Sequence, residues 1–217
     1  MSRRRMMYNA GDMNTVLLLH FDGNYDDSSR HKIVVGNNPS ASKFETGGLG
    51  FNQCVDINGN YPIYDINIGA GNITVEFFIK IYSELNSDWM GLFGSFEHQA
   101  STGRGVAFRY TAYGNNGVQV YVKNGATEYS SGWLGTLTLN LWYHIAIVVS
   151  GGYCKVYKDG TLWTSFPAIF GGMDTLYFGR WALEDVGSVF PAYIDEFRIS
   201  NVARYTANFT PPTQPFK

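Results

Sequence analysis

The sequence predicts an all-β fold, two antiparallel sheets packed face to face as a sandwich, and three observations predict it. Aromatic residues make up 16% of the chain and glycine supplies 25 of its 217 residues, a balance of wide rings and tight turns that suits short strands better than helices. Runs of β-branched and aromatic residues recur between clusters of Gly, Asn and Ser, with no helical period between them. In Thr74 to Tyr82, Val75, Phe77, Ile79 and Ile81 alternate with Thr74, Glu76, Phe78, Lys80 and Tyr82, the period of two of a half-buried strand with one face inward.

Taken in order, Thr15 to Phe21 is a compact β-type run that ends at Phe21-Asp22-Gly23-Asn24 and is broken by Asp26-Asp27-Ser28-Ser29. Phe51 to Ile57, Asn72 to Tyr82, Trp89 to Ser95, Gly105 to Thr111 and Val118 to Lys123 follow as strands. Asn124-Gly125 and Asp159-Gly160 are dipeptides that accept positive φ at both positions of a type I′ turn. They predict hairpins joining Val118–Lys123 to Ala126–Tyr129 and Tyr153–Lys158 to Thr161–Phe166. Leu141 to Ser150, Thr175 to Trp181 and Ala192 to Ser200 complete a count of roughly a dozen, enough for two packed sheets. Asn201 to Tyr205 could form one helical turn, which the prolines at 211, 212 and 215 cannot extend.

A single domain is expected, residues 15–205, with an N-terminal arm at 1–14 and a Pro-rich tail at 206–217. Sixteen basic and eighteen acidic side chains give a net charge of -2, too balanced for a protein that binds by displacing phosphate counterions, so nucleic acid is not an expected partner. No apolar run approaches the roughly 20 residues of a spanning helix, so membrane insertion is not expected. Nor does an apolar block of secretory type follow Arg3, Arg4 and Arg5. Cys54 and Cys154 read as buried small hydrophobes or, in an oxidising setting, as a disulfide.

The series Leu17-Leu18-Leu19-His20-Phe21-Asp22-Gly23, Asp27-Ser28-Ser29 and Ile73-Thr74-Val75-Glu76-Phe77-Phe78-Ile79 resembles the laminin-G-like, concanavalin A-like jelly-roll family. Trp142-Tyr143-His144-Ile145-Ala146, Val156-Tyr157-Lys158-Asp159-Gly160 and Tyr193-Ile194-Asp195-Glu196-Phe197-Arg198-Ile199-Ser200-Asn201 continue the resemblance in the family's order. It runs from about Thr15 to Tyr205 and implies a two-sheet jelly roll, a fold that carries lectins, adhesion modules, some glycosidases and virion proteins. The closing run Phe197 to Phe216, with Arg204-Tyr205 and Phe209-Thr210-Pro211-Pro212, is similar to C-termini of laminin-G-like proteins of tailed bacteriophages.

Catalytic patterns are missing from the sequence. There is no Glu-x-Asp-x-x-Glu triplet for glycoside hydrolysis, and Asp195-Glu196, as strand neighbours, are expected to face opposite sides. His20, His31, His98 and His144 occupy no paired-ligand spacing, and His144 reads as a hydrogen-bonded sandwich residue. The resemblance implies one structural Ca²⁺, with Asp22 and Asp195 as candidate ligands near the first and last strands. The competing reading has Asp22 capping its own turn and Asp195 paired with Arg198 or Arg204. Trp181, with Glu184 and Asp185 in the loop after it, and Tyr113 beside Gly114-Asn115-Asn116 are the candidate sugar-binding residues, since an aromatic face suits a pyranose ring.

The expected function is therefore a non-catalytic virion component of a tailed phage, on the capsid or tail. It would use a lectin-like sandwich for assembly with other virion proteins or for weak binding to cell-surface glycans. Arg3, Arg4, Arg5, Met6 and Met7 are candidate docking residues, and self-association into a homo-oligomer is a further option. A protein made in a host cytoplasm and released in the virion needs no secretion signal. The alternative is an extracellular bacterial carbohydrate-binding or glycan-processing protein.

Overall fold

The computed structural model describes residues 12–37, 43–46, 51–58, 62–84, 90–96, 101–111, 117–180 and 190–217. Among them are fifteen strands and no helix: β1 (Thr15–Leu19), β2 (Val35–Asn37), β3 (Phe44–Thr46), β4 (Gln53–Asp56), β5 (Ile63–Ile68), β6 (Ile73–Ile81), β7 (Met90–Gly94) and β8 (Arg104–Thr111). β9 (Gly117–Asn124), β10 (Thr127–Ser130), β11 (Tyr143–Ser150), β12 (Tyr153–Lys158), β13 (Thr161–Pro167), β14 (Met173–Phe178) and β15 (Ala192–Ser200) complete the set. One sheet runs β13-β12-β11-β6-β15-β4-β3, with β1 also paired to β15, and the other runs β10-β9-β8-β7-β14-β5-β2. The all-β, two-sheet antiparallel jelly-roll sandwich is thus the observed fold, with β2, β3 and β5 added to the expected strands.

Alternation builds the core between the sheets. Phe77 stacks on Phe197 at 5.7 Å and meets Phe93 and Phe108 edge-on at 5.5 and 5.4 Å, while Phe178 meets Phe197 at 4.8 Å. These offset and T-shaped arrangements match the ring quadrupoles as well as removing apolar area from water. β15 divides its second edge between two partners: Tyr193 and Ile194 pair with β4, and Phe197 to Ser200 pair with β1. A bulge between Asp195 and Arg198 marks the handover, and Glu196 adopts φ 52° there.

That bulge overturns one expectation. Ile194 and Phe197 both enter the core, so alternation fails over the two residues between them. Asp195 lies opposite Phe78, whose ring is on the outer face, and Glu196 reaches the same face. The two carboxylates therefore share one side of the sheet.

The expectation of a half-buried β6 also fails, because its outer face is covered. Residues 201–217 form no helical turn and instead cross the eight-stranded sheet as an extended strap. Tyr205 and Phe209 pack on Ala146, Val148 and Tyr157, and Phe216 packs on Leu18 and Phe78. Arg204 N donates to Thr74 Oγ1 at 3.0 Å, and Phe216 N donates to Glu196 Oε2 at 2.7 Å. At the β12–β13 turn, Phe209 N donates to Gly160 O at 2.9 Å. A Cβ on Gly160 would lie 1.8 Å from Phe209 O, so only glycine admits the strap at that point.

Under the strap lies a charge cluster centred on Glu76, which is fully buried. Its Oε1 receives Arg198 Nε at 2.9 Å and Nη2 at 2.8 Å; its Oε2 receives the Tyr205 hydroxyl at 2.8 Å and lies 3.4 Å from His144 Nε2. Burial works to raise the Glu76 pKa, but His144, Arg198 and Tyr205 outweigh it and hold it below 4.5. His144 is buried in the sandwich as expected, but among the described residues neither ring nitrogen makes a hydrogen bond; Nε2 meets Glu76 only as a contact at 3.4 Å. Nearby, Glu196 Oε1 lies 2.7 Å from His20 Nδ1, and this contact, opposed by burial, raises the His20 pKa above 6.5.

Turn chemistry divides. Asp159 and Gly160 adopt φ 49° and 73°, the expected type I′ pair, and Gly151-Gly152 at 58° and 83° form another between β11 and β12. Asn124 instead ends β9 opposite Thr127, leaving Gly125-Ala126 as the turn, with positive φ only at Gly125. That is the type II′ pattern, so the expected I′ turn at Asn124-Gly125 is corrected. Cys54 and Cys154 are both buried and free, not paired, and burial pushes the Cys54 thiol up to about 11.

Two predictions follow from the strap anchors. A carboxylate with a lowered folded pKa stabilises above its unfolded value and loses that contribution as pH falls; a histidine with a raised one stabilises below its unfolded value and loses it as pH rises. The melting temperature should therefore peak between about pH 4.5 and 6.5, with His20→Gln flattening the alkaline limb and Glu76→Gln the acid limb in a calorimetric pH series. An unchanged profile in both variants would remove these groups from the account. Tyr205→Phe takes a donor from buried Glu76 and should cost about 1 to 3 kcal/mol in denaturant unfolding.

Candidate functional site

Strand directions define the two ends of the sandwich. β6, β8 and β14 finish at one end of the sandwich, where β7, β9 and β15 begin. The sequence-predicted sugar-binding residues Tyr113, Trp181, Glu184 and Asp185 follow β8 and β14 in the sequence. Those four residues lie outside the described residues, as do Arg3, Arg4, Arg5, Met6 and Met7.

At this end the two sheets part around a cavity of about 360 Å³, lined by Ile81, Glu84, Tyr110, Thr136, Leu137, Thr138 and Leu139. The strand ends contribute Ile81 and Tyr110, whose side chains belong to the core faces of β6 and β8. The crossing segment between β10 and β11 contributes the other wall, held by Asn140 N donating to Ile81 O at 2.7 Å and by Thr138 N donating to the Tyr143 hydroxyl at 3.2 Å. Tyr110, Leu137 and Leu139 form an apolar floor, and burial raises the Tyr110 pKa. Glu84, Thr136 and Thr138 are exposed at the rim. This is an apolar base with a few hydroxyl and carboxylate groups, the make-up of a site for a small polar ligand.

Sequence reasoning did not find Glu84, Thr136, Leu137 or Thr138. They belong to aperiodic segments, and only the pairing of the sheets brings them together. A second cavity, about 530 Å³, lies at the opposite end among Val16, His31, Ile33, residues 65–72 and Asn201. Among the described residues its lining has no Phe, Tyr or Trp.

The competing reading of Asp22 and Asp195, a turn cap and an arginine pair, is corrected in its partners. Asp22 is exposed; its Oδ1 accepts from Gln53 N at 3.1 Å and its Oδ2 from Asn52 Nδ2 at 3.1 Å, which ties the first loop to β4 rather than capping its own turn. Asp27 caps instead, accepting from Leu18 N, Ser29 N and Ile33 N at 2.8 to 3.0 Å. Asp195 is fully buried, and the arginines expected beside it go elsewhere, Arg198 to Glu76 and Arg204 to Asp12 and Ser200. Among the described residues no group of three or more His, Cys, Asp or Glu could hold a metal ion.

Asp12 and Asn14, assigned to the arm from sequence, are tied to the sheet. Asn201 N donates to Asn14 O at 3.0 Å, and Arg204 reaches the Asp12 carboxylate. This anchorage is beside Ser200, at the end opposite the 360 Å³ cavity. No helix of the described residues is long and apolar enough to cross a membrane.

Solved structures of the same fold include the binding domain of botulinum neurotoxin serotype D, at TM-score 0.66 and 19% identity, covering 88% of this chain and 49% of that one. The chain thus spans about half the length of the neurotoxin binding domain. Domain 4 of AbnA, an extracellular arabinanase of Geobacillus stearothermophilus solved with arabinotriose, matches at TM-score 0.64 and 18% identity, covering 88% of this chain and 93% of that domain. A Trypanosoma rangeli sialidase matches at TM-score 0.60 and 15% identity over 90% of this chain and 32% of its own. No curated protein sequence matches the chain. At these identities the likeness is one of fold, but the family profile Laminin_G_3, described as concanavalin A-like lectin/glucanases superfamily, matches residues 56–208, and the chain belongs to that family.

Proposed function

We propose that this domain is a non-catalytic structural or attachment protein of a tailed-phage particle, holding a surface glycan at the cavity end of its sandwich and other virion proteins at the arm end. The carrying observation is the cavity itself: an apolar floor of Tyr110, Leu137 and Leu139 below rim groups Glu84, Thr136 and Thr138. A sugar offers an apolar ring face and a fringe of hydroxyls, and those two surfaces meet matching chemistry there. Glu84 is the only described carboxylate in the lining, whereas hydrolysis by paired carboxylates needs two about 5 to 9 Å apart. Asp12 and Asn14 are anchored at the end far from the cavity, which supports a division of labour between the two ends. Arg3, Arg4 and Arg5 in that arm suit carboxylates on a partner, and Met6 and Met7 suit an irregular apolar groove.

A second reading, a carbohydrate-binding module of a bacterial glycan-processing protein, is favoured by AbnA domain 4, which is nearly covered by the match and holds arabinotriose.

On a glycan array the chain should bind a subset of oligosaccharides and release no reducing sugar. Glu84→Gln and Thr138→Val should each weaken the best binder by about five- to tenfold, the loss of one or two hydrogen bonds; undiminished binding in both would exclude the cavity. Removal of residues 1–11 should leave the melting temperature within a few degrees, since ordered terminal segments contribute only where they are docked. The same truncation should abolish incorporation into purified particles, read by mass spectrometry, and normal incorporation would dismiss the anchor.

A further inference from the structure

The strap does not cover the whole outer face of the eight-stranded sheet. Along β6 it meets Thr74 through Arg204, Glu76 through Tyr205 and Phe78 through Phe216. Lys80, the next residue on that face, is left half-exposed. The strand register sets a row beside it. Tyr193 of β15 pairs with Lys80, Asp56 of β4 pairs with Tyr193, and Trp142 immediately precedes Tyr143, which pairs with Ile79. Four neighbouring chain segments thus present Trp142, Lys80, Tyr193 and Asp56 side by side, over about 14 Å at the usual interstrand spacing.

The side chains brace one another. Lys80 Nζ lies 5.1 Å from the centre of the Trp142 ring and 4.9 Å from that of Tyr193. Tyr193 in turn lies 4.8 Å from Tyr82, and the Tyr82 hydroxyl donates to Asp56 Oδ1 at 3.1 Å. Trp142, Tyr193 and Tyr82 are all half-exposed. Rings held this way lose little further freedom when a ligand settles on them, which is the main cost of a contact made by side chains.

We propose that this row is a binding platform for a neutral oligosaccharide, with sugar rings against Trp142 and Tyr193 and a hydroxyl bonded to Lys80, while Asp56, buried and accepting from Asn58 N and the Tyr82 hydroxyl, braces the row from beneath. Charge selects the neutral class. Asp56 and Glu45 act on the same surroundings as Lys80, so the row has no surplus positive charge with which to hold a sialate or uronate. Ile81, adjacent to Lys80, points the other way into the 360 Å³ cavity, so platform and cavity lie on opposite sides of one strand end. The proposal rests on the glycan-binding reading for its class of ligand but not for its residues.

The test is titration of the full chain with arabinotriose, cellotriose and, as the acidic comparator, sialyllactose. Trp142→Leu and Tyr193→Leu keep apolar bulk over the sheet while removing the ring faces, and each should weaken the neutral trisaccharide that binds by about tenfold. Intermolecular NOEs on the unsubstituted chain should connect the sugar to the Trp142 and Tyr193 ring protons, which decides the matter if a variant fails to fold. Wild-type affinity in both Leu variants, with loss in Glu84→Gln and Thr138→Val, overturns the platform and leaves the cavity standing. Loss in the Leu variants alone upholds the platform and removes the cavity. Preference for sialyllactose overturns the neutral class, and binding of none of the three overturns both readings.

Discussion

A fully buried carboxylate in the middle of a sheet is costly unless its charge is met on several sides, and the architecture around Glu76 meets that demand. Arg198 comes from the neighbouring strand, His144 from the strand on the other side, and Tyr205 from the strap. Together they offset the desolvation of the carboxylate, which uncompensated in the interior would cost several kcal/mol. The strap is therefore more than a cover of Phe and Tyr rings on apolar residues. It supplies a hydrogen-bond donor without which the central strand of the larger sheet would carry a badly solvated anion.

The geometry of β15 follows from the same constraint. This strand must give Phe197 and Ile199 to the core, Arg198 to Glu76 and Glu196 to the strap, and a strictly alternating strand cannot do so after Ile194 has also turned inward. The bulge at Asp195-Glu196 resolves the conflict by inserting a residue and placing Glu196 in the left-handed region at φ 52°. It also marks where the strand exchanges β4 for β1 as its neighbour. One local distortion thus serves pairing, core filling and electrostatics together.

What could be read from the chain alone was whatever depended on local pattern. Alternation in Val75, Phe77, Ile79 and Ile81 disclosed the central strand, and Asp159-Gly160 disclosed its turn, because both signals act within a few residues. β5 escaped notice although Tyr64, Ile66 and Ile68 alternate with Asp65 and Asn67. The strap was taken for a tail because its burial has no periodicity; Tyr205, Phe209 and Phe216 are spaced to suit a sheet elsewhere in the sequence. The cavity and the Trp142–Lys80–Tyr193–Asp56 row were hidden for a related reason. Each residue appeared in a readable strand or connection, but only strand register, which is set by distant pairing, aligns them. Asp22 reads from the sequence as a metal ligand or a cap of its own turn, because its partners, Asn52 and Gln53, lie in a segment whose pairing no local signal specifies.

The pairing of β1 with β15, closed over by residues 201–217, also sets an order of events during synthesis. The first strand has no partner on the larger sheet until the last one emerges, and Ala146, Val148, Tyr157 and Phe78 remain uncovered until the strap follows it. Contacts so far apart in sequence close slowly, because the loop entropy is spent before the contact forms. A nascent chain halted before residue 201 would therefore display a row of apolar side chains and a buried-type anion at Glu76, which makes it a natural client of chaperones and an early target for proteolysis.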